Sequence, residues 1–514
     1  MTEAAASGIR RRLSTGWRAA VCLVLGVVLA LVQLAPQHDA WWGLQDDLVP
    51  LSYRPPGATL RVGDIPAVIA TTEAAQFGSS VRYRPIYYIT RVLELWALGA
   101  HPRRWYVEHT LWYGLVTAAL TFAVWTMAGP WLAVGALLLF TSGWYQRDIW
   151  SHLGTSEPYA SLGLAAVAIG YSIGWQSGAR STGLWLAACG TMFAVGCKEN
   201  FAVLLVPTVL LAWHHRRAHP KTAVVASLLA MAAVAVVALS VTRAVHGSMR
   251  DEYGTTIDAS TRLGWLFGMT GAMLAALWIL AAVVLLPKFL ALRNATGAAG
   301  VARRSALQHA VLLLIVITAL VASQATYYGP VWPRFGGRYD YPGRLAEPLL
   351  FVGAVGVAMQ LLRLDGRARR AEQLAVAGVL VCVVLAARHG FVPARRAAQS
   401  NRDTTRAIRN RLDEAIAAAP PGTPIVIAVH GETEFLEPAQ AAIVLLAELG
   451  SRGPFLMRAD SADPRFVTRL ASRTAAGLRV AGQRVDGVHE AGVTGRHVVV
   501  AVHGYGPPDV QVMP

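Results

Sequence analysis

Eleven apolar runs dominate this chain and leave few folds open to it. They lie at 19–35, 106–127, 129–143, 157–173, 182–197, 200–213, 222–242, 264–286, 306–327, 345–362 and 371–388. A hydrocarbon layer about 30 Å thick is crossed by about 20 apolar residues in a helix, and only helices and closed barrels satisfy the backbone there. The runs therefore predict an α-helical polytopic membrane protein with about 11 transmembrane helices, the third, fifth and sixth being short. Composition agrees, since 54% of the 514 residues are hydrophobic and 15% charged, against roughly a quarter charged in soluble domains.

Charge orients the runs. Arg10, Arg11 and Arg12 precede the first, and Pro36-Gln37-His38 follows it in place of a small-x-small site, which reads as an uncleaved first span. With the N-terminus inside, the cytoplasmic segments collect Arg18, Arg180, Arg216, Arg217, Lys221, Lys288, Arg293, Arg303, Arg304, Arg363, Arg367, Arg369 and Arg370 as well. These 16 basic residues face only Glu3, Asp365 and Glu372, as expected of cytoplasmic loops. Joining 182–213 into one helix would reverse everything after it and put eleven of them outside, so the two runs are kept apart. The protein is expected in the cytoplasmic (inner) membrane, multi-pass, with its C-terminal part extracytoplasmic.

The net charge of +16 belongs to the hydrophobic part, because residues 395–514 hold 14 Arg against 12 acidic residues. A nucleic-acid partner is not expected. Cys22, Cys189, Cys197 and Cys382 all fall inside apolar runs without metal-ligand spacing and read as packing residues.

The outward face collects the polar clusters: 36–105 with Asp46 and Asp47, then 143–158, "CKEN" at 197–200, 246–254 and "YYGPVWPRFGGRYDYPGR" at 327–344. An active site at the outer interface would produce this asymmetry, although loops resting on lipid share its aromatic content. Within the first loop, 84–100 is too short and too charged to span and reads as an interfacial helix. From about 390 the pattern changes. An Arg-rich helix at 395–418 leads to a buried strand at "PIVIAVHG", a helix at 438–450, a strand near 454–458, a helix at 463–474, and strands near 477–486 and 496–503. Residues 1–390 are thus read as the membrane domain and 391–514 as a small extracytoplasmic α/β domain. His430 and His503, at strand ends, read as structural or solvated.

The acidic pair after the first span, "RYRPIYYITRVLELWALGAHPRRWYVEHTLWYGL", the external Glu157, "CKENFAVLLVP" and the late "GGRYDYP" loop together resemble the GT-C superfamily, polytopic glycosyltransferases that use polyprenyl-phosphate-linked sugars. The resemblance covers about 19–390 and leaves out the C-terminal domain. It implies that Asp46 is the catalytic base, with Asp47 beside it. It also implies that Lys198 and the late arginines, Arg338 with Arg334 and Arg344, hold the donor phosphate. Asp148 or Glu157 corresponds to acidic residues that help bind metal in some branches. This chain carries Asp-Asp where several branches carry Asp-Glu, and it has no clear Asn-glycosylation acceptor motif.

The residue types suit that chemistry. Transfer to a hydroxyl needs a group to take the acceptor's proton, and two adjacent carboxylates raise at least one pKa when partly buried. The phosphate leaving group needs fixed positive charge, which Lys and Arg supply. Lys198 sits between two apolar runs, where an ammonium is costly without purpose, and pairing with Glu199 is its structural alternative. Arg82, Arg84, Glu157 and Glu199 are candidates for holding acceptor or substrate. Asp148 and His152, four apart, share a helix face and with Asp47 and Glu157 could ligate Mg2+ or Mn2+; a lipid monophosphate needs no metal, and none is required by this reading.

The expected function is inverting transfer of a sugar from a polyprenyl-phosphate donor to a cell-envelope glycan, lipid or protein, with membrane lipids as surroundings. An O-antigen ligase or polymerase-like transferase using a diphosphate lipid would not need the early acidic pair. A transporter or flippase predicts internal repeats and mid-membrane charges, which the sequence does not show. A non-catalytic scaffold is the remaining alternative.

Overall fold

The computed structural model describes residues 3–44, 46–75, 77, 83–142, 144–174, 181–246, 269–291, 297–328, 341–364, 366–430, 436–460, 467–468, 470, 479–480, 483–488, 493 and 495–513. Helices lie in each of the eleven apolar runs, among the described residues. Among the described residues, five helical stretches are long and apolar enough to cross a membrane: Thr15–Asp39, Pro102–Ala128, Pro220–Arg243, Gly343–Arg363 and Ala368–Ala418. At 1.5 Å per residue, the helices Pro130–Ser142 and Leu205–His215 are too short to span alone, so length by itself does not carry a count of eleven.

Helix α1 is Glu3–Leu34, α2 Ile65–Thr71, α3 Pro85–Leu98 and α4 Pro102–Ala128. Helix α5 (Pro130–Ser142) follows α4 after a single residue, Gly129, whose φ of 97° only glycine adopts freely, and Pro130 starts the new helix. Helices α6 (Trp144–Trp150), α7 (Glu157–Gly174) and α8 (Ser181–Cys197) come next. Gly163 of α7 and Gly190 of α8 let the two backbones touch. A Cβ on Gly163 would lie 2.4 Å from the Gly190 carbonyl oxygen, and one on Gly190 would lie 2.6 Å from that of Gly163. Such small-residue contacts replace the hydrophobic drive that lipid removes.

The separation of 182–197 from 200–213 has a visible cause. Lys198 is extended (φ −154°, ψ 127°), a 3-10 turn covers Glu199–Leu204, and α9 (Leu205–His215) runs back along α8. Thr208 meets Thr191 at 2.8 Å and donates to the Ala187 carbonyl. Helices α10 (Pro220–His246), α11 (Met269–Ala291), α12 (Ala298–Tyr328), α13 (Ala346–Leu364) and α14 (Ala368–Ala386) complete the apolar part.

Helix α14 does not end at 390. A π-helical turn at Ala387–Phe391 joins it directly to α15 (Val392–Ala418). Gly390 sits so close to Ser142 that a Cβ would lie 2.8 Å from its Cα. Beyond α15 a five-stranded sheet takes the order β5-β2-β1-β6-β7. Its strands are β1 (Ile425–His430), β2 (Phe455–Ala459), β5 (Asp486–Val488), β6 (His497–His503) and β7 (Asp509–Met513), and β3 (Arg479–Val480) and β4 (Gln483–Arg484) pair separately. β1 lies parallel to both β2 and β6, with Ile425 opposite Phe455 and Val498, β2 lies parallel to β5, and β7 joins β6 antiparallel at the edge of this sheet. Strands buried on both faces carry continuous Val/Ile/Ala runs, as "IVIAVH" and "HVVVAVH" do.

The division at 390 separates compositions but not cores. The sheet face made by Ile425, Ile427, Val429, Val498 and Val500 packs with Ile408 and Leu412 of α15 and with α16 (Glu437–Glu448). The same cluster takes in Trp41, Trp42, Leu44, Leu48 and Leu51 of the first loop and Trp105 of α4. That loop therefore shares one hydrophobic cluster with α15, α16 and the sheet.

Candidate active site

The two aspartates have different fates. Asp47 is 1% exposed. Its Oδ1 accepts the backbone N–H groups of Leu153 (2.8 Å) and Gly154 (2.9 Å), and its Oδ2 that of Gly43 (3.4 Å). Burial raises its pKa, against the opposing pull of His152, Arg91 and the two amides. A carboxylate with both oxygens committed is an anchor, fastening the first loop to the 151–154 turn. Asp46 opens the 3-10 helix Asp46–Tyr53, and its side chain lies outside the described residues.

The same turn continues into the basic groups. Tyr87 Oη donates to the Gly154 carbonyl at 2.7 Å. Arg84 Nη1 lies 3.5 Å from Ser156 Oγ, while its Nε and Nη2 grip both oxygens of Glu199 at 3.0 and 3.1 Å. Lys198 forms an ion pair with Glu157, not with its neighbour Glu199, and both are nearly fully buried. Burial lowers the Lys198 pKa to about 8, with Glu157 pulling upward and Arg84 downward. Asn200 donates to the Tyr341 carbonyl at 2.7 Å, which brings the late loop's end to the same place. Arg344 follows in the short helix Gly343–Leu345 and is half-buried.

Several expected ligands are therefore committed elsewhere. Glu157 serves Lys198 and Glu199 serves Arg84, so neither stands free for a metal or an acceptor. Asp148 Oδ1 and His152 Nε2 are 3.9 Å apart and partly exposed. Among the described residues no three His, Cys, Asp or Glu side chains come together as a metal group. Arg82, Arg334 and Arg338 lie outside the described residues.

One cluster escaped the sequence reading. Arg91, fully buried, stacks over Trp105 at 4.6 Å and donates to Tyr159 Oη at 2.8 Å; Tyr159 in turn donates to Glu94 Oε2 at 2.6 Å. Burial pushes Glu94 up to about 8 although Arg91 opposes it. Arg91 and Glu94 share the inward face of α3 with Tyr87 and Leu95, while Leu93 and Trp96 face outward. The available signal was that Arg and Glu three apart fall in register with the apolar stripe and not opposite it.

No family model matches the chain, and no curated protein matches it. A search of solved structures finds the crystal structure of ArnT from Cupriavidus metallidurans in the apo state. It is 15% identical, covers 95% of this chain and 93% of that chain, and has a TM-score of 0.42.

Proposed function

We propose that the protein is a membrane glycosyltransferase that moves a sugar from a polyprenyl-phosphate donor to a hydroxyl acceptor, with Asp46 as general base. One observation carries this reading. The five residues Leu153–Glu157 hold the acidic pair through Asp47 at one end and meet Arg84 and Lys198 at the other. Four residue steps span at most about 14 Å, a distance in which a sugar fits between a carboxylate and a phosphate.

In the proposed reaction the acceptor oxygen attacks the anomeric carbon as the bond from that carbon to the phosphate oxygen breaks. The acceptor's proton passes to Asp46, and polyprenyl phosphate leaves with both electrons of the broken bond. A single displacement inverts the anomeric centre. Arg84, Lys198 and Arg344 supply the positive field for the departing phosphate. Because Glu157 already holds Lys198, the donor phosphate takes the place of that carboxylate as the ammonium's partner.

The test compares Asp46→Asn with the parent protein. Donor lipid should still bind while transfer falls about 100- to 10,000-fold, the usual cost of losing a general base. Near-parental transfer by Asp46→Asn in a protein that elutes and melts like the parent would sink the assignment.

A further inference from the structure

A cleft of about 270 Å³ lies where α15, the 151–152 turn and the segment after β6 meet. Its wall carries Ser151, His152, Ser400, Asn401, Thr404 and Tyr505. Among the described residues no Asp, Glu, Lys or Arg lines it, so nothing there suits a phosphate. The floor is closed by the buried Thr405 and Ile408, and Ser400 and Tyr505 stand exposed at the rim.

Two side chains are fixed before any ligand arrives. Asn401 Nδ2 donates to the Ser151 carbonyl at 2.7 Å and to Tyr106 Oη at 3.2 Å. Both amide hydrogens are thus spent, and its carbonyl oxygen is left as an acceptor. Gly504, at φ 65°, turns the chain after β6, and Tyr505 Oη donates to Glu437 Oε2 at 3.0 Å. With its hydroxyl tethered, the ring, 42% exposed, is held as a rigid apolar plate beside hydroxyl and amide groups.

A wall of hydroxyl, amide and imidazole groups around one fixed aromatic ring matches a ligand with apolar C–H faces and many hydroxyls. We propose that this cleft binds a neutral glycan chain, the acceptor of the transfer reaction. The assignment rests on the transferase reading for the word acceptor, but the sugar site itself does not. Ser151 and His152 run directly into Leu153 and Gly154, whose amides hold Asp47, so a glycan end seated here lies next to the acidic pair. The volume lies just below the range of small-molecule sites, roughly 300–1,000 Å³, which fits the end of a chain and not a long stretch of it.

The experiment uses the purified full chain in detergent, without donor, and saturation-transfer NMR with maltotriose, α-1,6-mannotriose and an arabinofuranose trisaccharide. At least one trisaccharide should receive saturation. Thr404→Trp, which fills the cleft, should abolish the signal. Tyr505→Ala should weaken binding roughly tenfold, as loss of an aromatic anchor does, and Tyr505→Phe should retain it. Absence of transfer to all three sugars, or a signal unchanged in both Thr404→Trp and Tyr505→Ala, would overturn the proposal. So would saturation of a Ser/Thr-rich peptide in place of the sugars. Since no donor is present, that failure would leave the Asp46 reading standing.

Discussion

Lys198 is paired with Glu157, forty-one positions away in the chain, while its neighbour Glu199 is paired with Arg84. The exchange follows from the extended backbone at Lys198, which turns adjacent side chains to opposite sides. Removing one member of a buried pair leaves the other uncompensated, at about 3–5 kcal/mol. Lys198→Ala should therefore lower the melting temperature sharply. The double variant Lys198→Met with Glu157→Gln should recover most of the loss, and a double variant no more stable than Lys198→Ala would refute the pairing.

The Lys198 pKa of about 8 gives donor binding a pH limit. Its ammonium is present below about pH 8 and lost above it, so affinity for a polyprenyl phosphate should fall between pH 7.5 and about 9. The folded state releases this proton below the usual 10.5, so between about 8 and 10.5 the unfolded chain binds more protons and this group's contribution to stability rises with pH. Weaker binding with undiminished melting is the expected signature. Lys198→Arg should carry binding to higher pH.

Asp47→Asn should fail differently from Asp46→Asn. An amide in place of the Asp47 carboxylate can serve the Leu153 and Gly154 N–H groups through its oxygen, but its NH2 then faces the Gly43 N–H. The expected result is a less stable protein, by about 1–3 kcal/mol, whose residual folded fraction retains substantial transfer. Loss of transfer with parental melting would move the base role to Asp47.

Glu94 shows the opposite pH sign from Lys198. Its pKa rises from 4.5 to about 8, so between those values the folded state holds more protons and this group's contribution to stability falls as pH rises. Each unit is worth about 1.4 kcal/mol. Glu94→Gln keeps an acceptor for Tyr159 and should flatten the melting profile between pH 5 and 8. An unchanged slope would show that Glu94 is not the titrating group.

The helices were legible because span length and apolar period are local properties; the extended Lys198 marks the break that charge balance required, and Gly129-Pro130 marks another. The site was legible only as a list of residue types. Which oxygen takes which donor is settled by contacts such as Asp47 with Gly154, 107 positions apart, and no spacing rule reaches that far. Strand β7 went unread for another reason. "DVQVM" is an exposed edge strand after Pro507-Pro508, so burial leaves almost no imprint on it. Nor does composition reveal that Trp41 lies against α15 and Trp42 against Trp105, since aromatic residues after a first span read equally well as membrane-surface anchors.

The bond between the first loop and α15 fixes an order of events in biosynthesis. The N–H of Trp41 is bonded at 3.0 Å to Thr405 Oγ1, 364 positions later. At about 5–20 residues per second, the ribosome needs tens of seconds to supply the second half of that contact. Throughout this interval Trp41, Trp42, Leu44, Leu48 and Leu51 lack the C-terminal part of their hydrophobic cluster, and the bilayer surface is the apolar refuge at hand. Asp47 finds its Leu153 and Gly154 amides early, whereas the Trp41 stretch before it is tied down only when α15 has emerged. A chain cut short before α15 thus leaves the Trp41 N–H without the Thr405 hydroxyl that it meets in the folded protein.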